Sequence, residues 1–134
     1  MEVQFAYTIL YVDDVSSTAT YYNTVFGFEI KFVTPDGDYG EIITGNTTLA
    51  FANHELGKSN FSKGYLHSDK GKQPFGFEIA FTTNDVEGLM KKAIDEGGAL
   101  MSAKQTKPWG QDVGYIRDLN GFIIEICTPM NMEG

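Results

Sequence analysis

The chain repeats itself. Asp14-Val15 recurs 71 residues on as Asp85-Val86, Phe26-Gly27 as Gly97-Gly98, and Tyr7 as Glu78. Farther along, Tyr39-Gly40 meets Val113-Gly114 at a spacing of 74, and Leu49-Ala50 meets Ile124-Glu125 at 75. The slip of one residue between the last two spacings fits a longer turn in the second copy. Two copies of one supersecondary unit restrict the fold more than any single motif, because both must reach the same shape with different side chains.

Local patterning fills in the unit. Short runs rich in β-branched and aromatic residues predict strands at 4–12, 28–34, 38–44, 47–53, 76–82, 99–103, 112–117 and 122–128. A helix is predicted over 15–26, where Val15, Ala19, Tyr22 and Phe26 share a face behind the cap candidates Asp13 and Asp14. A second is predicted over 85–96, with Asn84 as cap, Glu87 completing a capping box, and Gly97-Gly98 ending it. The order is β, α, β, β, β, twice over. One domain therefore holds a first module at 4–53, a connecting segment at 54–74 and a second module at 75–128.

Turn chemistry fixes the register. Gly45-Asn46 suits a two-residue hairpin, which sets Glu41 opposite Ala50; Leu119-Asn120-Gly121 suits a three-residue loop with glycine in the left-handed position, which sets Tyr115 opposite Glu125. A four-stranded antiparallel sheet with one helix per module buries one face under that helix. Alternation sends Phe77, Ile79, Phe81, Ile124 and Ile126 to the helix side. The opposite face then carries Tyr7, Ile9, Tyr11, Glu41, Ile43, Ala50 and Ala52 in the first module, and Glu78, Ala80, Thr82, Ile123, Glu125 and Cys127 in the second. Two readings of that face stand: a half-apolar wall for a small molecule, or a sheet surface that simply touches water.

Composition removes other functions. A net charge of -8 repels phosphate backbones and anionic lipid, so neither nucleic acid nor membrane is an expected partner. No basic leader or long apolar run opens the chain, which gives the expectation of a soluble cytoplasmic protein. The lone Cys127 has no disulfide partner and no zinc-site spacing. Phosphate-loop and nucleophile-elbow patterns are absent. The polar segment 54–74, with His54 at its start and His67 within it, reads either as a linker or as a cover over a site.

The stretches "ILYVDDVSSTATYYNTVFGFEI" and "KPWGQDVGYIRDLNGFIIEI", joined to the repeat over 4–128, resemble the vicinal oxygen chelate superfamily, which contains glyoxalase I, bleomycin-resistance and fosfomycin-resistance proteins and extradiol dioxygenases. The second stretch is similar to that superfamily's "PWG…RDPDGNxIEI" ending. The resemblance implies an α+β fold, with tandem βαβββ modules forming a curved eight-stranded mixed sheet around a concave cup, and a homodimer. It also implies metal ligands on the first and last strands of each module. Those positions are Tyr7, Ala50, Glu78 and Glu125 here, and only the last keeps the type usual in metal-dependent members.

This departure shapes the functional expectation. A catalytic transition metal needs at least three good ligands, usually nitrogen mixed with carboxylate. No cofactor is therefore expected; a divalent metal held by Glu78, Glu125 and Glu41 is the variant in which one binds. Glu78 and Glu125 can act as an acid/base pair or attract a cation, or else be satisfied by Tyr7, Tyr115 or Arg117. Trp109 is either a stacking surface at the cup rim or an edge-packing residue. The first expectation is a small-molecule-binding protein that holds an aromatic or cationic compound through Tyr7, Tyr11, Glu41, Ala50, Trp109, Tyr115 and Arg117. The alternatives are a glyoxalase-like lyase or isomerase, or a dioxygenase, working through Glu78 and Glu125, and a paralogue that keeps only the fold and the dimer interface.

Overall fold

Each repeated aspartate starts a helix. Asp14 accepts a 2.8 Å hydrogen bond from the Ser17 amide and caps α1 (Val15–Phe26); Asp85 accepts one of 2.9 Å from the Gly88 amide and caps α3 (Val86–Asp95). The cap of the later helix is thus Asp85 rather than Asn84, and Glu87 falls one position short of a capping box. The repeat had already paired the two capping aspartates. Gly27 closes α1 in the left-handed conformation, at φ 76°, where a Cβ would be penalised.

A computed structural model describes residues 1–130. Around the helices lie β1 (Tyr7–Val12), β2 (Glu29–Val33), β3 (Tyr39–Ile43), β4 (Thr48–Asn53), α2 (His54–Asn60), β5 (Glu78–Thr82), β6 (Ala99–Thr106), β7 (Asp112–Arg117) and β8 (Ile123–Cys127). Hydrogen bonds group the strands into two four-stranded sheets, ordered β1-β4-β3-β2 and β5-β8-β7-β6. Neither is wholly antiparallel: β1 pairs with β4, and β5 with β8, in parallel. The reason is topological. A helical crossover returns the chain before the second strand, and two hairpin reversals leave the fourth strand running with the first. The chain divides into two compact units, Met1–His67 and Ser68 onward.

The registers follow the turns. Glu41 stands opposite Ala50 and Tyr115 opposite Glu125. Gly121 takes φ 90° and ends the β7–β8 turn, while the Asp118 carboxylate accepts from the Asn120 and Phe122 amides. Leu10, Val12, Ile42, Leu49 and Phe51 form the first core with Val15, Ala19 and Tyr22 of α1; Ile116, Ile124 and Ile126, none of them exposed, form the second with Val86, Met90 and Ala93 of α3. Each fully buried isoleucine contributes about 1.5–3 kcal/mol. The repeated glycines allow the close approach: a Cβ on Gly40 would come within 3.1 Å of Val15 in α1, and one on Gly114 would overlap the Met90 sulfur of α3.

The 54–74 segment is more structured than its sequence predicts. Asn53 caps α2 through the Leu56 amide, and residues 61–67 turn back so that His67 meets His54. Seven residues are too few to display an amphipathic period, which is why the helix is invisible to periodicity. Farther on, the Arg117 guanidinium donates to the carbonyls of Asp69, Lys70, Lys72 and Gly121 and ties that stretch to the end of β7. Among the described residues no helix is long and apolar enough to cross a membrane.

Candidate functional site

In the second unit the face of the sheet away from α3 gathers four titratable side chains. β7 and β8 set Tyr115 beside Glu125, and the phenol donates a 2.9 Å hydrogen bond to Glu125 Oε1. That bond, then burial, then the charges of Glu125 and Glu78 push the Tyr115 phenol up to about 12. Glu78 opens β5, on the other side of β8, and its carboxyl is held above the ordinary glutamate range, first by burial, then by hydrogen bonding to Glu125 and repulsion from it. Two residues beyond Glu125, Cys127 is buried, its thiol pushed up to about 11 by burial and the same carboxylates. The result is a negative, proton-holding patch bordered by Ala80, Val113 and Ile123.

Trp109 is linked to this patch along a chain of polar contacts. Its indole N–H donates to Gln111 Oε1 at 2.9 Å, and Gln111 Nε2 donates to the Thr128 carbonyl at 2.8 Å. Thr128 adjoins Cys127, whose thiol donates to the Phe81 carbonyl at 3.8 Å. Trp109 is 63% exposed and lines a cavity of about 230 Å³ with Gly110, Gln111, Pro129 and Met130.

The first unit disposes its counterparts differently. Tyr7 is exposed at the start of β1, whereas Tyr11 is half buried against Phe61 and Tyr65, its hydroxyl accepting from Asn60 Nδ2 at 3.2 Å. Glu41 is buried with both oxygens engaged: Tyr39 donates to Oε2 at 2.8 Å and Lys31 Nζ lies 3.7 Å from Oε1. Two expected ligand contacts are otherwise occupied. Ala50 is fully buried and offers no surface, and Arg117 spends its guanidinium on backbone carbonyls rather than on the carboxylates.

The donors present do not fit a catalytic transition metal. Glu78 and Glu125 offer oxygen alone, the Glu41 carboxylate is already paired, Ala50 has no donor, and among the described residues no three His, Cys, Asp or Glu side chains converge to hold an ion.

Periodicity gave no warning of the histidines. His54, at the start of α2, and His67, at the end of the returning loop, stack face to face with ring centroids 3.6 Å apart and planes 2° from parallel. His54 Nδ1 and the Tyr65 hydroxyl share a 2.8 Å hydrogen bond, while Asp13 Oδ1 lies 3.1 Å from Nε2 but off the line of a hydrogen bond. A thirteen-residue separation carries no periodic signal; only the closure of the segment brings the rings together.

A family model described as a glyoxalase-like domain matches residues 5–131. No curated protein matches the sequence. Among solved structures, a glyoxalase-related enzyme from Fulvimarina pelagi is 22% identical with a TM-score of 0.80, over 99% of this chain and 96% of that one. A glyoxalase/bleomycin resistance protein/dioxygenase family enzyme from Burkholderia phytofirmans PsJN is 18% identical with a TM-score of 0.80, over 96% and 100%. A lactoylglutathione lyase from Agrobacterium tumefaciens is 19% identical with a TM-score of 0.67, over 95% and 94%. At these identities the likeness is one of fold.

Proposed function

The chain belongs to the glyoxalase-like domain family, within the vicinal oxygen chelate superfamily, and from that premise we propose that it is a cytoplasmic, homodimeric small-molecule-binding protein that works without a catalytic transition metal. Its ligand is an aromatic cation, an amine whose charge meets the Glu78–Glu125 pair and whose ring lies against Tyr115 and the apolar border. The observation that carries this reading is geometric: Tyr115 donates to Glu125 across β7 and β8, and Glu78 stands on the same face across β8, its carboxyl held above the ordinary glutamate range by partial desolvation and by Glu125. A cation placed there relieves the repulsion between the two carboxylates, so it favours their fully ionised state and releases whatever proton they share. Trp109, standing exposed nearby along the Gln111 contact, supplies a second ring face.

Support for the dimer lies in the exposed Leu100 and Met101 on β6 and Val3 and Phe5 near the N-terminus, apolar side chains that a second copy would cover. The reduced setting suits the free thiol of Cys127.

A screen of amines by thermal shift tests the binding reading, since a ligand that binds only the folded state raises its melting temperature. Aromatic amines should raise it and neutral isosteres should not, and Glu78→Gln combined with Glu125→Gln should abolish the shift. Equal shifts in the wild type and the double variant would refute the assignment.

One observation favours a second reading. A carboxyl raised above its ordinary range beside a second carboxyl and a phenol is equipped for general acid/base work, so a lyase or isomerase step at Glu78 and Glu125 is the enzymatic alternative. Wild-type-dependent exchange of a substrate C–H proton with solvent, lost in Glu78→Gln, would establish it over simple binding.

A further inference from the structure

The segment that joins β4 to the second unit builds a pocket of its own. After α2 the chain turns at Phe61, whose amide donates to the Gly57 carbonyl at 2.9 Å, and at Gly64, whose amide donates to the Phe61 carbonyl at the same distance. The return path is locked in three places. Tyr65 lies directly on Gly57, where even a methyl group would overlap its hydroxyl, its hydroxyl is bonded to His54, and His67 stacks on His54. Tyr11 of β1 packs against Phe61 and Tyr65 and braces the loop.

The pocket is an open cleft of about 530 Å³, within the range of roughly 300–1,000 Å³ usual for small-molecule sites. Its lining combines His54, Phe61, Tyr65 and His67 with Lys58 and Lys63 and the carboxylate residue Glu55, while Asp13 lies 3.1 Å from the His54 ring. In a chain of net charge -8, two lysines flanking a ring-lined pocket are a local reversal of sign. Rings already fixed by stacking and hydrogen bonding lose little freedom when a flat ligand joins them.

We propose that this pocket is a binding site for a planar aromatic anion, the rings taking the aromatic plane and Lys58 and Lys63 the negative charge. The site lies in the first unit and selects the opposite charge from the Glu78–Glu125 patch, so the two assignments stand or fall separately.

The test uses the whole chain with 2-naphthoate as probe and 2-naphthylmethylammonium as its charge-reversed control, read from the imidazole resonances of His54 and His67 by NMR. 2-Naphthoate should shift both resonances saturably at millimolar concentration, the ammonium analogue should bind there at least several-fold more weakly, and joint replacement Lys58→Gln and Lys63→Gln should weaken 2-naphthoate on the order of tenfold, as the loss of two exposed charge contacts implies. Both lysines are exposed, and an unchanged amide spectrum outside the segment verifies that the variant is folded. The absence of a saturable shift, equal affinity for the two probes, or unchanged affinity in the double variant would each overturn the proposal.

Discussion

Tyr115 and Glu125 face each other across β7 and β8, and the phenol donates to the carboxylate over 2.9 Å. The bond makes the tyrosine a poor acid: ionising it would place a phenolate against a carboxylate. Alkaline spectrophotometric titration should find this phenol ionising near 12, well above an ordinary tyrosine. In Glu125→Gln the first cause and the Glu125 charge are removed while burial remains, so the ionisation should move part of the way back towards 10.

Cys127 should be an inert thiol. With its ionisation pushed from 9.0 up to about 11, it carries roughly 100-fold less thiolate at neutral pH than an unperturbed cysteine, and it is 4% exposed. Alkylation by iodoacetamide in the folded state should therefore be slower than that of a model thiol by at least two orders of magnitude. Rapid modification of the native protein at pH 7 would show that burial and the neighbouring carboxylates do not protect the thiol as described.

Helix caps discriminate between adjacent residues. Asp85→Ala removes the acceptor of the Gly88 amide and should cost about 0.5–2 kcal/mol in urea unfolding, as should Asp14→Ala at the equivalent position. Asn84→Ala should change stability by a few tenths of a kcal/mol at most, because Asn84 is not the cap.

The stacked histidines should give the fold an acid-sensitive component. Burial, and then the charge of His67, hold His54 below its ordinary value of 6.5, against the opposing pull of Asp13. The unfolded chain then takes up the proton at higher pH than the folded one. This contribution is therefore unaffected above about 6.5, and stability falls as the pH drops through the depressed folded value. Urea midpoints measured between pH 7 and pH 5 should decline, and His54→Gln should flatten the slope over that window.

The fold was legible because its information is local or repeated. Strand alternation placed Ile124 and Ile126 in the core, Gly45-Asn46 and Leu119-Asn120-Gly121 set both hairpin registers, and the recurrence of Asp14 as Asp85 matched the two helix starts. The cap was misplaced at Asn84 because two neighbouring residues both suit the position and only backbone geometry separates them. The site was legible in part. Register alone paired Tyr115 with Glu125, but sequence could not reveal that Arg117 turns to the carbonyls of residues 69–72, or that Glu41 is engaged by Tyr39 and Lys31. Those are choices among long side chains with several reachable partners. The His54–His67 stack depends on the closure of a segment with no period, so nothing in the sequence could place it.

The central claim is that Glu78 and Glu125 form one coupled carboxyl pair that receives a cation. Its most direct test is a carbon-13 NMR titration of the glutamate side-chain carboxyls with and without phenethylammonium. Glu78 should titrate above the ordinary glutamate value of 4.5 in the free protein, shift down towards it in Glu125→Gln, and shift down when the cation is added, because the ligand favours the ionised pair. A Glu78 titration at the ordinary value, unmoved by both the substitution and the cation, would contradict the account.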